Sequence, residues 1–456
     1  MLLRRLASIA LVTVLATPAV AGTIDIAIGH QSMCTDTYTA GIIVKELGLL
    51  EKHLPHDGKY AGVTYNVVWN DYSSGGPITN EMLANKLQFG VMGDYPLIVN
   101  GAKFQETDSL RSLYVAGTGY NLKGSGNGVV VPVSSNIYSL KDLKGHSVSV
   151  PVGSAAWGML VKALGDDKMS LSDVDLKNQS PAVGAANIQT MKVDAHADFC
   201  PWSEIMEYRG TGRKIYDGSQ TGIPYLHGLV VRKDFADKYP EIVVAFVEAI
   251  YDAGKWVEKD PMAATEQMEK WTGVEKEVLY LYFSKGGLLT LDPTLKPQWI
   301  DALKFDQKVL EDAKLSPPLD FKSWVNDSYI RAAYKAILRD VLDRRPSGMR
   351  QRLAEALGKN RSFITQIANP AYQTPIPAQH VHAIIQVCHF SLQERDKFLS
   401  AYHQAHPRRL LLLKERERNR RLTLMLPDLG SEQKNRKLDS LLSEFAEKVA
   451  RLIEDS

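Results

Sequence analysis

Cysteine is scarce, with three in 456 residues. That excludes a small disulfide-stapled scaffold, and no CxxC pair offers a structural zinc knuckle. Long apolar runs are scarce too. Beyond the first 21 residues no stretch nears the roughly 18 almost continuous apolar residues of a spanning helix, so a polytopic membrane protein is excluded. The motifs of several enzyme classes are missing: no GxSxG elbow, no HExxH, no GxxxxGKS/T, and no GxGxxG after a strand-like run. Gly124-Ser125-Gly126-Asn127-Gly128 precedes its best strand instead of following it, and reads as a hinge or loop. The chain is therefore not expected to be an enzyme, and no cofactor is assigned. Net charge is nearly absent, with 54 Lys and Arg against 52 Asp and Glu. That average describes neither half. Residues 337–456 carry 21 basic against 14 acidic side chains, and the first 336 carry 33 against 38. What is present, 45% apolar and 23% charged residues, suits about two to four domains with substantial cores.

Met1 to Arg5 holds two arginines, Leu6 to Val14 is largely apolar, and Ala19-Val20-Ala21 supplies the small residues of a cleavage site. This is the pattern of a secretory signal over residues 1–21, cut before Gly22. Its apolar core is far short of the roughly 20 residues a membrane span needs, and Pro18 interrupts it. The expectation is export.

From Thr23 the pattern alternates between strand and helix. Ile24-Asp25-Ile26-Ala27-Ile28 runs into a polar loop, Gly29 to Thr35, and a helix is expected from about Thr39 to Leu50. Val63 to Trp69 reads as a second strand, Ser73 to Pro77 as a loop before the helix Ile78 to Ala84, and Phe89 to Met92 as a third strand. A second set follows: strands near Asn127 to Val133, Ser147 to Val150 and Ala197 to Cys200, with a helix Ala155 to Leu164. The strand pattern returns over Leu226 to Val231. Long helices are then expected at Tyr239 to Lys259, Met262 to Trp271, Glu275 to Phe283 and Gln298 to Ala313. Such alternation gives βαβ units and parallel sheets covered on both faces. Two α/β lobes imply a cleft at the strand C-terminal ends.

Four strings carry a resemblance by their order and spacing: Ala40-Gly41-Ile42-Ile43-Val44-Lys45-Glu46-Leu47-Gly48-Leu49-Leu50-Glu51-Lys52, Ser74-Gly75-Gly76-Pro77, Phe89-Gly90-Val91-Met92-Gly93-Asp94-Tyr95-Pro96 and Leu140-Lys141-Asp142-Leu143-Lys144-Gly145. Over about residues 23–335 the chain resembles the periplasmic substrate-binding proteins of ABC importers, in the nitrate, sulfonate and taurine group. The resemblance implies an α/β, bilobal periplasmic binding protein-like fold of type II over residues 22–336, with the second lobe at about 118–222. It further implies two crossover strands, a small-molecule solute between the lobes, closure on binding, and delivery to an inner-membrane ABC permease. A hinged cleft suits capture because it desolvates both faces of a ligand at once.

Strand ends nominate the ligand-binding residues. The loop after the first strand offers His30, Gln31, Ser32, Cys34, Thr35 and Asp36. Ser74 and Gly75 precede a helix whose free N–H groups suit an anion or a carbonyl oxygen. Asp94 reads either as a ligand acceptor or as a cap of the next helix. From the second lobe come Ser154, Trp157, Cys200 and Trp202, the tryptophans reading either as platforms for an apolar ligand stem or as core. Cys34 and Cys200 leave three readings open: a disulfide, a thiol site for a soft metal or sulfur ligand, or two small buried residues. No metal is assigned. The first-lobe loops hold no Arg or Lys, so an anionic solute needs backbone N–H groups or donors from elsewhere.

The last 120 residues belong to another class. Met349 to Leu357, the turn Gly358-Lys359-Asn360 and Arg361 to Ala368 read as two helices about a glycine. Leu353, Ala356 and Leu357 form one apolar face, and Phe363, Ile364 and Ile367 the other. Residues 337–407 resemble the all-α helix-turn-helix domain of phage-repressor-like DNA-binding proteins, with supporting helices Pro377 to Val387 and Ser391 to His403. The long proline-bearing loop Asn369 to Pro377 departs from that pattern. The resemblance implies that Lys359 and Arg361 hold phosphate or a base edge, while Asn360, Ser362, Thr365 and Gln366 occupy the exposed face. The competing reading is a helical protein-docking module with a basic face. Residues 408–456 read as a charged connector and an amphipathic helix that packs on the bundle or forms a homodimer.

The halves disagree about compartment. An exported DNA-binding domain has no DNA to read, and no spanning segment separates the halves. The exported, periplasmic solute-binding component is the main expectation, since it covers two-thirds of the chain and agrees with the N-terminus. The alternative is a transcriptional regulator with a solute-sensing domain.

Overall fold

A computed structural model describes residues 22–107, 110–370 and 375–406, with four isolated positions after residue 429. The expected signal segment and the C-terminal amphipathic helix lie outside the described residues. The first sheet contains β1 (Thr23–His30), β2 (Thr64–Asp71), β3 (Phe89–Gly93) and β4 (Ser112–Asn121). The second contains β5 (Gly128–Pro132), β6 (Ser147–Val150), β7 (Asp175–Asn178), β8 (Ala195–Asp198) and β9 (Gly212–Asp217), after which β10 (Tyr225–Arg232) returns to the first. Strand orders are β2-β1-β3-β10-β4 and β7-β6-β8-β5-β9. In each sheet three strands run parallel, as helical crossovers require, and an antiparallel pair closes the other edge.

The central strands β3, β5, β8 and β10 are buried along their whole length. β3, β5 and most of β10 therefore read as short apolar runs, whereas buried β8 carries His196 and Asp198 and β1 alternates near its start. The helix expected over Thr39 to Leu50 is broken into a 3-10 turn Thr35–Ala40 and the short helices Ile42–Glu46 and Leu49–His53. Gly48, at φ +58°, makes the second break. Residues 118–121, expected at the start of the second lobe, are the end of β4 in the first sheet.

The chain passes between lobes twice, through residues 122–127 and 218–224. The crossings lie side by side: Gly218 N–H donates to Asn127 O at 2.8 Å. A Cβ at Gly124 would stand 2.2 Å from Ile223 O. The glycine-rich stretch is thus the first crossing, at the position of a hinge. Later helices also bridge the seam. Pro297–Asp312 packs on the helices Asp94–Gln105 and Ala155–Asp166, and Tyr282 Oη donates to Glu204 Oε2 at 2.7 Å.

The expected boundary at residue 336 falls inside one continuous helix, Ser328–Asp343. This helix packs against Pro240–Lys259 of the first lobe and against Leu392–Ala405. Tyr334 anchors an aromatic group with Phe398, Tyr402 and His406. Lys397 and His53 both reach Asp252, at 3.0 and 2.8 Å. Residues 337–406 therefore belong to the same compact unit as the lobes. The helices Met349–Ala356 and Arg361–Ala368 form about Gly358 at φ +60°. Leu353, Ala354 and Leu357 turn inward there, while Ala356 faces out.

Leu338 lies in the shared helix and is completely buried. Leu338→Ala should cost about 2–5 kcal/mol in denaturant unfolding. The loss should fall in one transition covering both the lobes and residues 349–406. A separate transition for the C-terminal helices, followed by hydrogen exchange, would contradict the shared core.

Candidate functional site

The expected ligand residues separate into two places. The first is a cavity of about 470 Å³ between the lobes. Ser73, Ser74, Gly76, Asn80 and Lys103 line it from the first lobe, and Gly153, Trp157 and Asn178 to Ser180 from the second. Three helices begin beside it, one of them Pro181–Gln189 after Ser180. Ser74 precedes Gly75–Leu83 and its hydroxyl makes no capping bond, whereas Ser154 Oγ accepts from Trp157 N–H at 3.2 Å and caps Ala155–Asp166. Gly75 is tightly enclosed, since a Cβ there would meet Pro96 at 2.5 Å. Helix starts carry unpaired N–H groups and a positive dipole end, so this cavity suits an anionic oxygen. Lys103, exposed on the helix Asp94–Gln105, adds the cation that the strand-end loops lack.

The second place is the closed seam behind it. Cys34, Thr35, Asp94 and Cys200 are buried there, whereas His30 and Gln31 are buried among first-lobe residues; none of the six lines the cavity. Gln31 donates to Val91 O at 3.1 Å, and His30 packs edge-on against Trp69. Ser32 is bound to Asp71 through both its N–H and its hydroxyl, outside both places. Asp94 Oδ1 accepts from Tyr95 N–H at 2.7 Å, but Asp94 is the first residue of its helix and Gly93 holds the cap position, so this is not an N-cap bond. Trp202 is half-buried at the start of Trp202–Tyr208, away from the cavity. Cys34 and Cys200 meet across the lobes with their sulfurs 3.4 Å apart, both as free thiols.

Strand-end reasoning missed His227, Tyr225 and Lys103. His227 sits inside β10 beside Gly93 of β3, with its ring 4.1 Å from that of Tyr225. A histidine within the apolar run Leu226 to Val231 was the available signal. Lys103 lies ten residues past its strand end, where only three-dimensional packing brings it to the cleft.

The seam disfavours charge. Burial pushes the Asp94 carboxyl up to about 8 and Asp36 up to about 7. Burial also lifts Asp306 well above the carboxylate range, with Asp94 adding to it, and it lowers the pKa of His227, keeping the imidazole neutral.

No helix among the described residues is long and apolar enough to cross a membrane. The fold is that of two-lobed binding proteins. At 19% identity and a TM-score of 0.56 it matches the alkanesulfonate-binding protein SsuA from Xanthomonas axonopodis pv. citri bound to MOPS, over 66% of this chain and 98% of that one. The periplasmic aliphatic sulphonate binding protein SsuA from Escherichia coli matches at 20% identity and a TM-score of 0.52, over 66% of this chain and 96% of that one. In sequence, the NMT1/THI5 like family matches residues 79–264. The taurine-binding periplasmic protein of Escherichia coli (strain K12) is 30% identical over 198 residues, which is 43% of this chain and 58% of that protein.

Asp94 gives a pH dependence with a definite sign. A carboxyl raised from about 3.9 when unfolded to about 8 when folded holds its proton in the native state. Its stabilisation is complete below about pH 4 and is lost as pH rises to about 8, at up to about 1.4 kcal/mol per pH unit. Asp94→Asn should flatten the slope between pH 5 and 8 in denaturant melts. An unchanged slope would mean that Asp94 is ionised in the fold.

Proposed function

We propose that residues 22–336 are the periplasmic solute-binding component of an ABC importer, serving a small sulfonate-, taurine- or nitrate-like solute and handing it to a membrane permease. The observation that carries this reading is the interlobe cavity, with three helix starts, Lys103 and Trp157 around it. A sulfonate or nitrate group takes the N–H groups of Gly75–Leu83 and Ala155–Asp166, while Trp157 covers an apolar stem. The side-by-side crossings act as the hinge, so closure removes water from both sides of the anion. Thr35, Asp94 and Cys200 serve this reading as the packed floor that forms when the lobes meet, and His30 and Gln31 as first-lobe core beneath it. The relatives named above bind alkanesulfonates, aliphatic sulphonates or taurine, the same chemical group. Binding without turnover is the role assigned.

Thermal melts with taurine, alkanesulfonates and nitrate test it. A solute at a hundred times its dissociation constant should stabilise the fold by about 2.7 kcal/mol. Lys103→Ala should weaken that solute by roughly threefold to tenfold, and Trp157→Ala by at least tenfold for one with an apolar stem. Absence of any shift or heat for ligand-stripped, folded protein sinks the reading.

A second reading concerns residues 337–407, for which we infer a helix-turn-helix that contacts DNA. It is favoured by the exposure of Lys359, Arg361, Ser362 and Thr365 along the start of Arg361–Ala368. Gln366 is half-buried. Asn360 has a competing duty, since its Oδ1 accepts from Phe363 N–H at 2.8 Å and caps that helix. The residues Arg361, Ser362, Thr365 and Gln366 then remain as base readers. Because the shared helix joins these residues to the lobes, the full chain is the proper sample. Its affinity for duplex DNA should fall steeply with salt. Arg361→Ala should lose about 1–3 kcal/mol of discrimination between sites, whereas Lys359→Ala should weaken all sites alike. Binding that is insensitive to salt makes the segment a protein-docking module.

A further inference from the structure

Cys34, Cys200 and His227 form a cluster for which the solute cavity has no use. Cys34 follows β1 in the first lobe, Cys200 follows β8 in the second, and His227 lies in β10. Their ligand atoms all fall within 4.8 Å of one another. Exposure is 2%, 0% and 1%, so the cluster is sealed while the lobes are together. Two sulfurs bound tetrahedrally at about 2.3 Å from one zinc ion stand about 3.8 Å apart. The 3.4 Å observed here needs only a small relaxation. Neither nitrogen of His227 has a hydrogen-bond partner among the described residues. Asp36 Oδ2, 3.3 Å from its Nδ1, has none either. A buried imidazole and carboxylate facing each other unsatisfied are costly in a protein interior, and an ion is one of the few things that resolves both.

We propose that Cys34, Cys200 and His227 bind a divalent, thiophilic d10 cation of the zinc class, which clasps the two lobes together. Two sulfurs and an imidazole nitrogen are the ligand types such an ion selects. Charge decides the valence. Binding releases the two thiol protons to solvent, so a divalent ion leaves the site neutral and a monovalent ion leaves it negative. The ligands are buried beside the carboxyls of Asp36 and Asp94, and an uncompensated negative charge is unfavourable there. Asp36 stands behind the imidazole as carboxylates stand behind metal-bound histidines, orienting the ring and fixing its tautomer. Three protein ligands leave one coordination position for an added ligand. Because Cys200 comes from the opposite lobe to Cys34 and His227, hinge opening both admits the ion and disassembles the site. This inference uses the two-lobed closure but not the solute assignment.

The test uses the full chain, stripped of metal, reduced without added thiols, and free of solute. Three thiols should titrate after denaturation, and cadmium should then give a thiolate charge-transfer band saturating at one ion per chain and displaced by zinc. Zinc should raise the melting temperature. Cys34→Ser and Cys200→Ser should each weaken binding at least tenfold and abolish the zinc shift, His227→Gln should keep the band but bind at least tenfold more weakly, and Cys388→Ser should change neither. Circular dichroism on each variant separates lost binding from lost folding. Should a variant fail to fold, the wild-type stoichiometry and zinc shift still decide. No band with all thiols free, a Cys34–Cys200 disulfide that resists reduction in the folded protein, or uptake of monovalent copper alone would each overturn the assignment. Solute melts on the metal-free protein are scored separately, so either idea can fail without the other.

Discussion

The antiparallel seating of β10 between β3 and β4 is the pairing on which the remaining architecture depends. It makes the second lobe an insertion within the first sheet, entered through residues 122–127 and left through 218–224, so the lobes are tethered twice at one side. With β10 buried from end to end, breaking its ladder would leave backbone groups of three strands without partners in the core. The register then fixes the seam. His227 lies opposite Gly93 and Tyr225 opposite Asn121, so both side chains are delivered to the lobe junction by backbone pairing alone. Gly93 tolerates this because it has no side chain: a Cβ there would sit 3.2 Å from Ala155 and 3.4 Å from His227 Nε2.

A seam built only for stability would be apolar. This one contains Asp36, Asp94, His227 and Glu204, all buried. Only part of that polarity is locally repaid, by Thr35 and Thr118 around Asp36 and by Tyr282, Ser203 and Lys214 around Glu204. Polar groups that are imperfectly matched when dry and readily hydrated when wet lower the free-energy gap between closed and open lobes. Closure therefore has to be completed by something that binds between the lobes, which is the behaviour a capture protein needs.

Much of this was readable from residue order because it is local. The apolar runs of β1, β3, β5 and β10 and the amphipathic helices after residue 240 depend on neighbours one or two turns away. What escaped the sequence was non-local. No strand was expected over Ser112–Asn121, yet it is the edge strand β4. A Cβ at Gly117 would stand 2.9 Å from Asp292 O, and one at Gly119 2.8 Å from Leu289, so these glycines admit a segment 170 residues later in the chain. The short strands β7 and β9 have mostly half-exposed or exposed residues and offer little apolar signal. For the site, the order of residues gave the loop at 30–36 and the helix start at 74–75. It did not reveal that most of the loop turns into the seam, nor that Lys103 and Asn178 complete the cavity. Strand-end rules locate a cleft, but which side chains remain wet depends on how the lobes close.

The C-terminal helices were set apart by their charge and by their resemblance to another class, with a domain boundary expected after residue 336 and no flexible linker there. One continuous helix, Ser328–Asp343, serves both, burying Tyr329, Ile330, Ala332 and Ala333 on the lobe side and Ile337, Leu338, Val341 and Leu342 further on. Polar contacts reinforce this: Lys397 reaches Asp252, and Glu248 beside them has its carboxyl pushed up to about 7 by burial. A charged residue settles into a low-dielectric contact of this kind only where the surrounding apolar packing is strong enough to hold it there. The helix Ser328–Asp343 thus packs on Pro240–Lys259 of the first lobe, on Leu392–Ala405 and on Arg361–Ala368 at once, so the C-terminal helices share the core of the lobes instead of hanging on a flexible tether.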